Sequence, residues 1–199
     1  MKMIPIECVV RGYFYGSLVQ RWKEGKITLP KNTDTTIAAL LPEPIFDPTT
    51  KSETHDLPIN KKDALARNLV IEKEYDLLEK TSLEIYKKMA TISENAGFVL
   101  ADIKLEFGKY GETILLGDSI GPDEYRMWPK NSYQVGKIQE SFDKQLLRDW
   151  LAQRGYQRQF EEERNAGREP MAPDLPAELC QQMSVRYVTA YERISGQSL

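Results

Sequence analysis

The stretch Phe98-Val99-Leu100-Ala101-Asp102-Ile103-Lys104-Leu105-Glu106-Phe107, continuing through Gly108-Lys109-Tyr110-Gly111 to Glu112-Thr113-Ile114-Leu115-Leu116-Gly117-Asp118, decides the fold. Its first part alternates apolar and polar residues, and Lys109-Tyr110-Gly111 is a short turn, so the two runs pair as an antiparallel hairpin. A period of two puts Asp102, Lys104 and Glu106 on one face, whereas Leu100, Ile103, Leu105 and Phe107 do not all share the other. Three charges on one strand face want either solvent or a ligand.

Outward from the hairpin, Leu78, Ile85, Met89, Ile92 and Ala96 fall on one helical face within residues 71–96, and Gly97 supplies the C-terminal stop. Ile4 to Val10 reads as a buried strand ending at a turn marked by Gly12 and Gly16, after which Ser17 caps a short helix through Trp22. Residues 25–60 hold Gly25, Pro30, Pro42, Pro44, Pro48 and Pro58 among many Thr and Asp, so a long ordered loop or lid without regular structure is expected. Leu146, Trp150 and Leu151 predict a helix over 141–154, and residues 155–174 a charged connector whose Gln/Glu/Arg-rich part is a solvated face. Leu179, Met183, Tyr187, Ala190 and Ile194 then give a last amphipathic helix, with Pro176 near its first turn.

A chain of 199 residues with 41% hydrophobic residues can bury a real core, as one large domain or two small lobes. With 27 basic and 30 acidic residues the net charge is −3, and no basic stripe interleaved with aromatics exists, which excludes the electrostatic footprint of nucleic-acid binding. No apolar run approaches the roughly 20 residues that cross a bilayer, so no membrane role is expected. Cys8 and Cys180 lie far apart, without a secretory signal before them, and read as two buried free thiols of a cytoplasmic protein.

The chemistry follows from residue types. Glu106 and Asp118 on neighbouring strands suit Mg²⁺, which takes oxygen ligands and keeps sites for water and phosphate. Lys104, two residues from Glu106, would meet the same phosphates as a point charge, although a Lys-x-Glu strand face is more often simply ion-paired. His55 is the only histidine, which excludes a multi-histidine zinc site. Thr49-Thr50-Lys51-Ser52-Glu53-Thr54-His55-Asp56 gathers hydroxyls, a cation, an imidazole and carboxylates, and reads equally as a ligand loop or as a self-bonded turn. Arg11 beside glycine and Arg126 in Pro122-Asp123-Glu124-Tyr125-Arg126 could each hold a phosphate or carboxylate bidentately, or serve as packing ion pairs.

Four motifs occur in order: Ile4-Pro5-Ile6-Glu7-Cys8-Val9-Val10-Arg11-Gly12-Tyr13 with Gly16-Ser17; Glu43-Pro44-Ile45-Phe46-Asp47-Pro48-Thr49-Thr50-Lys51 with His55-Asp56; Leu100 to Gly108; and Ser141-Phe142-Asp143-Lys144-Gln145-Leu146-Leu147-Arg148-Asp149-Trp150-Leu151. That ordered set closely resembles SAICAR synthetase, from residue 3 to the C-terminus. The resemblance implies an α+β fold, the larger lobe of a two-lobed architecture with an antiparallel-rich sheet flanked by helices. It implies an ATP-dependent ligase that joins L-aspartate to the carboxylate of carboxyaminoimidazole ribonucleotide through an acyl phosphate, in purine biosynthesis. By matching position, Lys104 and Glu7 meet ATP, and Glu106 and Asp118 hold Mg²⁺. Arg11, Ser17, Lys51, His55, Asp56 and Arg126 bind the ribonucleotide, Arg126 at its 5′-phosphate, while Lys144 and Arg148 are basic positions near the phosphate and aspartate sites.

The sequence also departs from the family pattern. Members usually carry a preceding ATP-covering lobe, of which Met1-Lys2-Met3 matches only the hinge, so the alternative expectation is a fragment or a non-catalytic ribonucleotide-binding module that needs a separate ATP-binding lobe, with a homo-oligomer as a further partner state. Ser119 stands where many relatives have Glu after the Asp, and Glu124-Tyr125 alters the loop before Arg126.

Overall fold

The computed structural model describes residues 1–51, 57–142 and 144–199. It divides into two compact units, Met1–Glu140 and Ser141–Leu199. The first holds β1 (Lys2–Tyr13), α1 (Ser17–Lys23), β2 (Leu40–Phe46), β3 (Thr49–Thr50), α2 (Lys61–Ala66), α3 (Glu72–Asn95), β4 (Phe98–Tyr110), β5 (Thr113–Leu116) and β6 (Tyr125–Pro129). Its sheet runs β2-β1-β4-β5, with β3 also paired to β1 and β6 to β4, and every pairing is antiparallel. Mixed helix and antiparallel sheet is the expected α+β architecture.

The hairpin forms as the sequence predicts: Tyr110 pairs with Thr113 around Gly111, whose φ of 59° belongs to the left-handed region a two-residue turn needs. Alternation along β1 buries Ile4, Ile6, Cys8 and Val10 against α3, which contributes Tyr75, Leu78 and Tyr86. Along β4, Leu100 joins Ile103, Leu105 and Phe107 in that same core even though period two separates them. The reason is a slip in the β4–β6 register between Leu100 and Asp102, which inserts one residue and restores the phase.

Several expectations are corrected. β1 does not turn at Gly12 but runs on to Tyr13, and Gly12 is needed because a Cβ there would lie 1.7 Å from the Tyr86 hydroxyl. Ser17 is the first residue of α1 rather than its cap, which is Gly16 at φ 61°. Residues 25–60 are not irregular throughout, since β2 and β3 lie within them; Pro42 and Pro44 are tolerated because β2 is an edge strand, where a missing N–H costs no ladder bond. Ile92 is half exposed on α3, and the buried stripe follows Tyr75, Leu78, Ser82 and Tyr86 instead. Cys8 is buried, whereas Cys180 is exposed.

The second unit contains α4 (Gln145–Gln153), α5 (Tyr156–Asn165) and α6 (Ala177–Ser195), with α4 contacting both of the others. Helix α5 occupies the expected connector. It buries no residue and is supported along its own surface by Gln157 with Glu161, Arg158 with Glu162, and Arg164 over the Phe160 ring. Gly155, at φ 67°, separates α4 from α5. Among the described residues no helix is long and apolar enough to cross a membrane.

Candidate active site

The polar face of the sheet is built by register. Arg11 on β1 lies opposite Asp102 on β4, and Asp102 lies opposite Arg126 on β6, so three charges stand in a row across three strands. Two residues along, Val9 pairs with Lys104; two further, Glu7 pairs with Glu106 on β4 and with Thr49 on β3. Like charges directly opposite each other repel, and the Glu7–Glu106 pair is stable only with compensating cations. Lys104 Nζ supplies one, 3.0 Å from Glu7 and 3.7 Å from Glu106, and Lys51 bonds Glu106 from the other side. The Thr49 hydroxyl donates to Glu7 Oε2 at 3.1 Å.

At the Arg11 end, Arg126 Nη1 donates to Asp102 Oδ2 at 2.8 Å, and Arg11 Nη1 lies 3.7 Å from the same oxygen. Arg11 Nε donates to Asp47 Oδ2 at 2.5 Å, and its Nη2 donates to the Ser17 hydroxyl at 3.0 Å. Arg21 bonds the same Asp47 oxygen. The Arg126 guanidinium also lies over the Tyr15 ring, 5.1 Å from its centre, a favourable cation–π arrangement. Gly16 leaves room for it, because a Cβ there would come within 2.7 Å of Arg126 Nη1.

The charges balance overall and segregate locally. Arg11, Arg21 and Arg126 share two carboxylates, Asp47 and Asp102, which leaves that end positive. Lys51 and Lys104 serve three, Glu7, Glu106 and Glu124, which leaves the other end negative. Burial raises the pKa of Asp47, but the hydrogen bonds and charges of Arg21 and Arg11 outweigh it and hold the group below its ordinary value. Lys104 moves the other way: burial would lower its pKa, yet Glu7 and Glu124 push it well above the usual lysine value. The bond that Lys51 donates to Glu106 raises the Lys51 pKa.

Arg11, Ser17, Arg126, Lys51, Lys104, Glu7 and Glu106, named from separate motifs, are thus drawn together. Asp118 differs in position. β5 ends at Leu116, the N–H of Gly117 bonds the Glu106 carbonyl at 2.7 Å, and Asp118 follows in an exposed bend beside that bond rather than on a strand. Among the described residues no group of three or more His, Cys, Asp or Glu is arranged to hold a metal. His55 and Asp56 lie outside the described residues. Lys144 and Arg148 belong to the second unit, at the start of α4 and four residues on, where the Arg148 N–H bonds the Lys144 carbonyl. Sequence reasoning missed Asp47, Arg21, Glu124 and Tyr15, and gave Asp102 no role; their signal is the partner across the sheet, which no local pattern carries.

A family model described as SAICAR synthetase matches residues 1–163. This chain belongs to the SAICAR synthetase family. It is similar to the phosphoribosylaminoimidazole-succinocarboxamide synthase of Nitrosopumilus maritimus, at 66% identity over the whole chain and 72% of that relative. The Corynebacterium glutamicum enzyme of the same name is 38% identical over 99% of the chain and 66% of its own length. Among solved SAICAR synthetases, that of Saccharomyces cerevisiae complexed with SAICAR superposes with a TM-score of 0.76 at 31% identity, covering all of this chain and 62% of the other. A SAICAR synthetase in complex with ADP gives a TM-score of 0.67 at 27% identity, covering all of this chain and 66% of that one. The chain therefore spans roughly two thirds of the relatives it matches.

Proposed function

We propose that this chain carries the ribonucleotide- and phosphate-binding face of an ATP-dependent ligase that condenses carboxyaminoimidazole ribonucleotide with L-aspartate. The observation that carries the reading is the segregation of charge on one sheet face: three arginines on two aspartates at one end, two lysines among three glutamates at the other. The positive end suits the 5′-phosphate of the ribonucleotide, with Arg126 and Arg11 offering guanidinium edges beside the Ser17 hydroxyl. The negative end suits a divalent cation arriving with nucleotide phosphates.

Glu106 and Asp118 are the groups that would hold Mg²⁺; two carboxylates leave the remaining positions of an octahedral ion for water and phosphate, as Mg²⁺ prefers. Bound there, the ion would neutralise charge on the transferring phosphoryl group. Lys104 and Lys51, now paired with glutamates, can turn to phosphate oxygens once that cation replaces them as the counter-charge.

The reaction needs no protein nucleophile. A substrate carboxylate oxygen attacks the γ-phosphorus of ATP, the bond to ADP breaks, and an acyl phosphate forms. The aspartate amine then attacks the acyl carbon, loses a proton, and releases inorganic phosphate as the amide forms. Both steps depend on positioned charge, and the charged groups on this sheet face support the reading. Two measurements test the reading: SAICAR binding to this chain by calorimetry, and ADP release with each substrate omitted in turn. Absence of SAICAR binding, or ADP release that persists without the ribonucleotide, would overturn it.

A further inference from the structure

We propose that Asp47 is a positioning residue for substrate binding, acting through Arg11 and held in place with the help of Arg21; this rests on the ribonucleotide reading above. Its backbone is pinned first. The Asp47 N–H donates to the Val9 carbonyl at 2.8 Å, and the Ile59 N–H donates to the carbonyl of the following Pro48 at 3.0 Å, so the segment between β2 and β3 is tied both to β1 and to the chain before α2. The carboxylate is buried, at 7% exposure, beside an Arg11 side chain at 8%.

A guanidinium is a fixed fork, and the edge it offers a ligand depends on which nitrogens are already engaged. Asp47 engages Nε of Arg11, and Asp102 lies nearest Nη1, so the edge carrying Nη2 is left beside Ser17. Removing the Asp47 carboxylate frees Nε, and Arg11 can then rotate toward Asp102, where Arg126 already bonds. The clamp thus keeps Arg11 and Arg126 as two separate donors instead of rivals for one carboxylate.

Arg21 contributes in two ways. It bonds the oxygen that Arg11 uses, which keeps Asp47 ionised, and it adds the charge that makes this end positive. Its buried Nε has no hydrogen-bond partner among the described residues, so the bond to Asp47 is its specific polar anchor there. Asp47 is 36 residues from Arg11 and 26 from Arg21 in sequence, and a junction of three segments is suited to setting orientation.

The test is a double-mutant cycle read by calorimetric titration of SAICAR into this chain, with thermal unfolding as the folding control. Asp47→Asn, which keeps the side chain's shape, is expected to weaken SAICAR about tenfold in the parent background and less than twofold in an Arg11→Met background. Asp47→Glu retains the charge but moves it by one methylene; it is expected to lose less, and it replaces Asp47→Asn should that variant not fold. A parent chain that does not bind SAICAR overturns the ribonucleotide reading and this proposal with it. A parent that binds, with Asp47→Asn equally tight or with the same loss in both backgrounds, overturns the positioning role alone.

Discussion

Replacing Gly16 by alanine separates backbone strain from site disruption. Gly16 has φ 61° and ψ −140°, a region close to glycine-only backbone, so a side chain there costs roughly 1–3 kcal/mol. For a protein of this size that is a fall of roughly 2–12 °C in the melting temperature. The new Cβ would also lie 2.7 Å from Arg126 Nη1, well inside the 3.4 Å at which ordinary contact begins, so the guanidinium must retreat. Its 2.8 Å bond to Asp102 stretches, and its aim at the proposed phosphate site is lost. A hydrogen bond to a charged group is worth about 1.5–3 kcal/mol, so losing one weakens SAICAR by tenfold or more. Gly25→Ala is the control: φ is 68° there, and nothing lies within 4 Å of the added carbon. Both variants should melt lower, and only Gly16→Ala should lose affinity in calorimetry. A Gly16→Ala chain that melts lower yet binds SAICAR as tightly as its parent would remove Arg126 from the phosphate site.

Three further outcomes are expected. Asp118→Asn in a full-length enzyme carrying this chain should abolish turnover far more than it weakens ribonucleotide binding, since a metal held there would act on phosphoryl transfer; near-normal turnover at saturating Mg²⁺ would take Asp118 out of the proposed metal site. Arg126→Lys should weaken the ribonucleotide and leave aspartate KM nearly unchanged, because an ammonium cannot make two parallel bonds; unchanged ribonucleotide affinity would refute the assignment. Asp47 has a folded-state pKa below its unfolded one, so its contribution is present above the unfolded value near 4 and fades as pH falls through the folded value. Acid unfolding of Asp47→Asn should accordingly show a shallower loss below about pH 4 than the parent, and parallel curves would contradict this.

What the sequence disclosed depended on how local the cause was. The hairpin, α3 and the shared face of Lys104 and Glu106 follow from periods of two and 3.6, which a short window contains. β2 was hidden because two prolines imply irregular chain unless the strand is known to lie at an edge, and edge position is a property of the sheet. α5 was hidden because a helix that buries nothing has no apolar stripe to read. The slip between Leu100 and Asp102 left its trace only as an alternation that failed to close. In the site, Arg11 and Arg126 were found singly by residue type, whereas the carboxylate they share, and Asp47 behind it, appear only when the strands are laid side by side.

The contact between Gly12 and Tyr86 constrains how this fold can drift. The Tyr86 hydroxyl donates to the Leu100 carbonyl at 2.8 Å, at the edge of the β4 slip, and the ring is buried against the bare Cα of Gly12. Position 12 can therefore grow only where position 86 shrinks, and shrinking it strips the donor from the carbonyl beside the slip. Either change made first carries a cost, a clash in one order and an unsatisfied carbonyl in the other, so the two positions are expected to vary together across descendants of this sequence. The orientation of Asp102 between its two arginines is thereby tied to a tyrosine buried in the core on the other side of the strand slip.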